Sequence, residues 1–253
     1  LRMVVGLVMI FILLIPLLTG TQQMPLPTMV PVGVQTFYDL ASFNLRQAGA
    51  PILLAVDYEP AYSGEIGISA SGFIEQVIRQ QALVTLVSTS PTGPALGEDL
   101  LNTVRTRNEL AYDMDRMMVN LGYLSGGSAS LQAFALDPAR LTRYDLRSQL
   151  VWGTPGHPAL NGINSLSDYF LVIVLTDNPD TARGWIEQVE PLLAETPLLM
   201  ITSAQAAPMI APYSDSGQVD GIVSGLSGGV SYELLMGQSG QAQRYWDAYQ
   251  IGL

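Results

Sequence analysis

PILLAVDYEP, residues 51–60, and YFLVIVLTDNPD, residues 169–180, decide the fold class. Each is a short apolar run with no polar alternation, closed by an acidic residue and a proline. Runs of this kind suit strands covered by helices on both faces, as in a parallel sheet. Between and around them, short apolar runs alternate with amphipathic stretches, the pattern of βαβ units. The spacing predicts strands over 52–57, 83–88, 120–124, 169–176, 198–202 and 219–224. It predicts helices over 71–81, 98–118, 128–134, 179–193 and 230–238, with a short helix over 36–47 before the first strand. The expectation is a doubly wound, mostly parallel α/β sheet.

The strand ends repeat an order. Asp57-Tyr58-Glu59-Pro60 closes the first strand and Asp177-Asn178-Pro179-Asp180 the fourth. Ser88-Thr89-Ser90 follows the second and Thr202-Ser203-Ala204 the fifth. Leu124-Ser125-Gly126-Gly127 follows the third and Leu226-Ser227-Gly228-Gly229 the sixth. This reads as two βαβαβα halves, a common plan of doubly wound sheets. The halves are then expected to place Asp57 and Asp177 at neighbouring strand ends.

Outward from this core, residues 1–20 read as a transmembrane anchor, 21–33 as a proline-rich linker and 34–253 as an extracytoplasmic α/β domain. Met3–Leu18 is an unbroken apolar run of about 24 Å as a helix, slightly short of a ~30 Å hydrocarbon core. A secretory signal peptide is the rival reading, but no small-x-small cleavage site follows Leu18. Arg2 precedes the run and the next basic residue is Arg46, so the positive-inside rule puts the N-terminus in the cytoplasm. At the other end, Arg244, Tyr245, Trp246 and Tyr249 fit either an interfacial aromatic belt or an amphipathic end helix.

Composition excludes much. Of 253 residues 48% are hydrophobic and 13% charged, and the formal net charge of −11 would repel a nucleic-acid backbone. The chain has no cysteine, which removes thiol nucleophiles, thiolate metal sites and iron–sulfur clusters. All eleven basic residues are arginines, which removes a P-loop lysine and a Schiff-base lysine. No cofactor is expected.

Three constellations nevertheless carry candidate chemistry. Gly225-Leu226-Ser227-Gly228-Gly229 matches the G-x-S-x-G nucleophile elbow between a strand and a helix, with His157, the only histidine, as its base. The competing reading is a glycine-rich strand–helix turn. Asp57 and Asp177, with Glu59 and Asp180 beside them, could hold a cation or share a proton at the switch point of the sheet. The competing reading is helix capping, with Asn178 and Pro179 at N-cap and N1. Ser88, Thr89 and Ser90, leading into Pro91-Thr92-Gly93, could hold an anion at a helix N-terminus; the alternative is a proline-punctuated turn.

Some of these stretches are familiar. The D-x-E run before a Ser/Thr strand end resembles haloacid-dehalogenase-type phosphatases, but the lysine they set against phosphate is missing. The Ser88–Gly93 loop resembles the phosphate loop of flavodoxins, although there it follows the first strand. PILLAVDYEP, LVSTSPTGPAL, YLSGG and LVIVLTDNPDTARGWIEQV together resemble bacterial membrane-anchored, extracytoplasmic, Rossmann-like α/β proteins of no known activity. That resemblance implies a localisation and no mechanism.

The leading expectation is a non-catalytic accessory or scaffold subunit of a membrane complex, partnered by other membrane subunits and by the bilayer through residues 3–18. A serine hydrolase built on Ser227 and His157, or a small-ligand or cation-binding module, are the alternatives. The connection over 136–168 holds Arg140, Arg143, Arg147 and Trp152; its Arg140–Arg147 segment and the proline-rich spacer are the expected docking surfaces.

Overall fold

The computed structural model describes residues 29–153 and 155–252, besides Val4. The expected membrane span over Met3–Leu18 and most of the 21–33 linker lie outside the described residues. Among the described residues, no helix is long and apolar enough to cross a membrane.

Among the described residues six strands form one sheet: β1 (Pro51–Asp57), β2 (Leu83–Ser88), β3 (Met118–Tyr123), β4 (Leu171–Thr176), β5 (Leu198–Thr202) and β6 (Gly221–Ser224). All pair in parallel, in the order β3-β2-β1-β4-β5-β6. The first three strands build one half and the last three the other. They meet where β1 lies beside β4, with Ile52 opposite Leu171 and Asp57 opposite Thr176.

Among the described residues ten α-helices accompany the sheet: α1 (Val32–Asn44), α2 (Ile68–Arg79), α3 (Gly93–Arg107), α4 (Met114–Met117), α5 (Gly127–Leu136), α6 (Pro138–Leu141), α7 (Pro179–Gln188), α8 (Ala207–Asp215), α9 (Gly225–Leu235) and α10 (Gln241–Gly252). The alternation of side chains along β1 divides the core in two. Ile52, Leu54 and Val56 face α1, α2, α3 and α9, whereas Leu53 and Ala55 face α5 and α7 with Trp185 at the centre. Both faces are covered, which is why the strands read as unbroken apolar runs.

Several helices depart from the sequence reading, three of them instructively. The stretch 98–118 is not one helix: α3 begins earlier, at Gly93, with Pro94 in its first turn, and ends at Arg107. Glu109, at φ +50°, breaks the chain before α4. The helix α8 is absent from the sequence reading; it carries Pro208 in its first turn, where a missing N–H costs nothing, and Pro212 within it. The helix α9 starts at Gly225 rather than Val230, since the glycines that read as a turn form its first turns.

Those glycines have a packing role. A Cβ on Gly229 would stand 2.6 Å from Ser69 Cα, and one on Gly72 would stand 3.1 Å from Glu233 Cγ. The helices α2 and α9 therefore cross with almost no side chain between them. In the other half, Gly126 (φ +115°) and Gly127 (φ +61°) supply a left-handed turn into α5. Similar tetrapeptides serve two different backbone needs.

Both sheet edges are covered. The helix α1 lies along β6, with Phe37 so close that a Cβ on Gly221 would stand 2.6 Å from its Cα. Along β3, Leu146 N–H donates to the Asn120 carbonyl (2.8 Å), and Gly122 N–H is taken by the Asn120 side chain (3.0 Å).

Candidate functional site

Parallel pairing brings all six carboxyl ends to one edge of the sheet. The chain leaves β1 and β4 towards opposite sides, so a crevice is expected between them. Asp57 closes β1 there, buried to 4% exposure. Its Oδ1 accepts from Thr89 N–H (2.5 Å) and lies 2.8 Å from Ser88 Oγ, while Oδ2 accepts from Trp185 Nε1–H (2.7 Å). Burial pushes the Asp57 carboxyl above its ordinary range, against the opposing pull of the Trp185, Thr89 and Ser88 donors. Both oxygens are occupied by the protein itself.

Asp177 follows Thr176, the register partner of Asp57, so the two acids do stand at neighbouring strand ends. Asp177 Oδ1 accepts from Glu59 N–H (3.0 Å), a bond from the second half to the first. Glu65 reaches the other way, its Oε1 accepting from Ala204 N–H (2.7 Å). The carboxylates thus staple one half to the other across the switch point. Asn178 caps α7, accepting from Asp180 N–H at 2.8 Å with Pro179 next in the chain. Among the described residues, no group of three His, Cys, Asp or Glu side chains is placed to hold a metal ion.

The Ser88–Gly93 loop folds down onto the end of β1 instead of arching over a cavity. Ser88 Oγ lies 2.6 Å from the Val56 carbonyl oxygen and accepts from Ser90 N–H (2.9 Å). A Cβ on Gly93 would come within 2.0 Å of both Ser88 Oγ and Val56 O. The loop is packed where a phosphate would have to sit.

Ser227 and His157 are not brought together. Ser227 is exposed in the first turn of α9, beyond the carboxyl end of β6. His157 Nδ1 accepts from Ala159 N–H (3.2 Å), so Nε2 carries the proton and donates to the Asp115 carbonyl (3.1 Å). Asp115 precedes the amino end of β3, at the opposite edge of the sheet. Five inter-strand spacings of about 4.8 Å put the two edges roughly 24 Å apart. The histidine caps a 3-10 turn over Pro158–Leu160, and the G-x-S-x-G pattern marks a helix crossing.

Among the described residues, the connection from α5 to β4 carries a row of exposed apolar side chains. Leu136 (59% exposed), Tyr144 (57%) and Leu150 (62%) project from it, with Leu141 and Leu146 between them and Tyr123 on the neighbouring strand. Tyr144 and Leu150 face each other across a tight turn. Arg147 at its tip pairs with Asp115 (2.9 Å), an exposed bond of little energetic weight. Behind the turn lies a cavity of about 320 Å³ whose lining includes Glu98, Asp145 and His157.

Sequence reasoning missed Trp185 as the partner of Asp57 and Glu65 as a staple, both contacts between residues more than a hundred positions apart. It also missed Glu233, buried in α9, which accepts from the first N–H groups of α10, Ala242 (2.8 Å) and Gln243 (2.9 Å). A lone acid in the otherwise uncharged run GLSGGVSYELLMG was the available signal. No family model, curated protein or solved structure matches the chain.

Proposed function

We propose that the protein is a non-catalytic accessory or scaffold subunit of a membrane assembly. Its anchor is Met3–Leu18, and its acidic α/β domain stands on the extracytoplasmic face. The observation that carries this reading is the row of exposed apolar side chains from Leu136 to Leu150, on the segment that also bears Arg140 and Arg143. Clustered apolar exposure of this kind marks an interface. The polar groups of the crevice support the same reading: Asp57, Asp177 and Glu65 hold backbone or indole N–H groups and leave little for a substrate.

The partner is a second membrane subunit that offers an apolar groove rimmed by carboxylates, which meet Arg140 and Arg143. A stable contact of this class buries at least ~1,000 Å². Cross-linking in native membranes, followed by gentle detergent extraction, is the test. The expected result is a defined larger species that disappears in a Leu141→Glu/Leu150→Glu variant; both positions are exposed, so the fold survives. If native membranes yield only the monomer and the purified chain stays monodisperse, the scaffold reading is wrong.

A further inference from the structure

We infer that the cleft between α2, α3 and α10 binds a phosphate-type anion carrying an apolar group. Arg79 ends α2, Arg107 ends α3 and Arg244 lies in the first turn of α10. These three arginines, remote in sequence, line one cavity of about 170 Å³ together with Glu75, Asn108, Ser239 and Gln241.

Arg79 and Arg107 sit where helix carbonyls favour a cation, which by itself would explain them. Arg244 has no such reason, because the first turn of a helix disfavours positive charge. The one carboxylate lining the cavity is already engaged. Glu75 Oε1 accepts from Arg79 Nε (2.8 Å) and Nη2 (2.6 Å), and Oε2 accepts from Asn108 (3.1 Å). Neither Arg107 nor Arg244 forms an ion pair among the described residues. Glu233 lies behind the wall, committed to the N–H groups of α10. A chain of net charge −11 thus sets three guanidinium groups around one neutralised acid. Two of these guanidinium groups, Arg107 and Arg244, have no acidic partner among the described residues.

The donors suit phosphate. Guanidinium groups present forked N–H pairs that match phosphate oxygens, and Ser239 and Gln241 add neutral donors. A second cavity, of about 240 Å³, shares Ser71, Val104 and Arg107 with the first. Its walls include Ile68, Leu96, Leu100 and Tyr245, with Asp99 beside them. That composition accepts an apolar body and rejects a second negative charge. The ligand is therefore charged at one end only: the phosphate of a lipid headgroup, or of a soluble phosphate ester with an apolar substituent.

The full chain in neutral detergent can be titrated with inorganic phosphate, glycerol phosphate and dihexanoyl phosphatidic acid, read by calorimetry and by thermal midpoint. Saturable phosphate binding is expected, weakened about tenfold or more by R107Q/R244Q and unchanged by R183Q. Without phosphate the double variant should melt within a few degrees of the wild-type midpoint, because both side chains are exposed and form no ion pair among the described residues. The site does not exist if phosphate fails to saturate by about 10 mM. Nor does it exist if phosphate raises the midpoint equally in wild type and double variant. Dihexanoyl phosphatidic acid should bind about tenfold tighter than glycerol phosphate, and equal binding of the two would overturn the apolar half of the site; hexyl phosphate added to the series separates the sources, weaker binding than phosphatidic acid identifying a lipid headgroup and equal binding a soluble ester.

Discussion

Replacing Asp57 by asparagine tests the stapled crevice most directly. Each carboxylate oxygen faces a fixed N–H donor, Thr89 N–H on one side and Trp185 Nε1–H on the other, with the Ser88 hydroxyl beside the first. An amide has one oxygen and one NH2 group, so whichever way it turns, its NH2 confronts a donor. The variant loses one hydrogen bond to a charged acceptor, worth about 1.5–3 kcal/mol, and strands a buried donor at about 1–3 kcal/mol. Against this, it no longer buries a charge, and desolvation is the largest influence on Asp57. The net loss is about 2–3 kcal/mol, or roughly 4–12 °C in Tm for a domain of this size. The pH dependence supplies the sign. Because the folded carboxyl is raised above its unfolded value, its contribution is fully present below the unfolded pKa near 3.8 and is lost as pH rises through the folded pKa. D57N lacks that term, so the gap between wild type and variant should be widest in acid and shrink as pH rises. Thermal melts of both proteins across that range are the assay. An unchanged Tm, or a gap that widens with pH, would refute the account.

Two further substitutions probe the packing. Gly229→Val places a side chain 2.6 Å from Ser69 Cα at the α2–α9 crossing and should cost about 3 kcal/mol or more, read by urea unfolding; a loss under about 1 kcal/mol would mean the helices part easily. Glu233→Ala leaves the Ala242 and Gln243 N–H groups without their acceptor. It should lower the stability of α10 by about 1–3 kcal/mol, seen as faster amide exchange over 241–248 with β1 unaffected.

The strands were legible because burial on both faces leaves only apolar residues to choose from, so ILLAV and LVIVL could hardly be anything else. The adjacency of β1 and β4 was legible in the matching strand ends, where Asp57 and Asp177 close equivalent strands. Element boundaries were harder. The helix α8 left little signal: Pro208 is harmless in its first turn, but Pro212 lies inside it, where a proline argues against a helix. The G-x-S-x-G pattern misled for a physical reason: a turn that exposes a serine and a helix that must approach another closely both require glycine. The Trp185–Asp57 bond joins residues 128 positions apart, and the arginine cleft draws on three separate helices. Neither leaves a local periodicity to read.

The strand order has a consequence in time. β1 is central, flanked by β2 on one side and β4 on the other. Its first neighbour pairs Pro51 with Leu83, but the second pairs Ile52 with Leu171. During synthesis at about 5–20 residues per second, the open side of β1 must wait roughly 6–24 s for its partner. Throughout that interval the most apolar strand of the first half presents an unpaired backbone edge, the element most prone to recruit a foreign strand. Whatever receives this chain as it emerges has to shield ILLAV until LVIVL arrives.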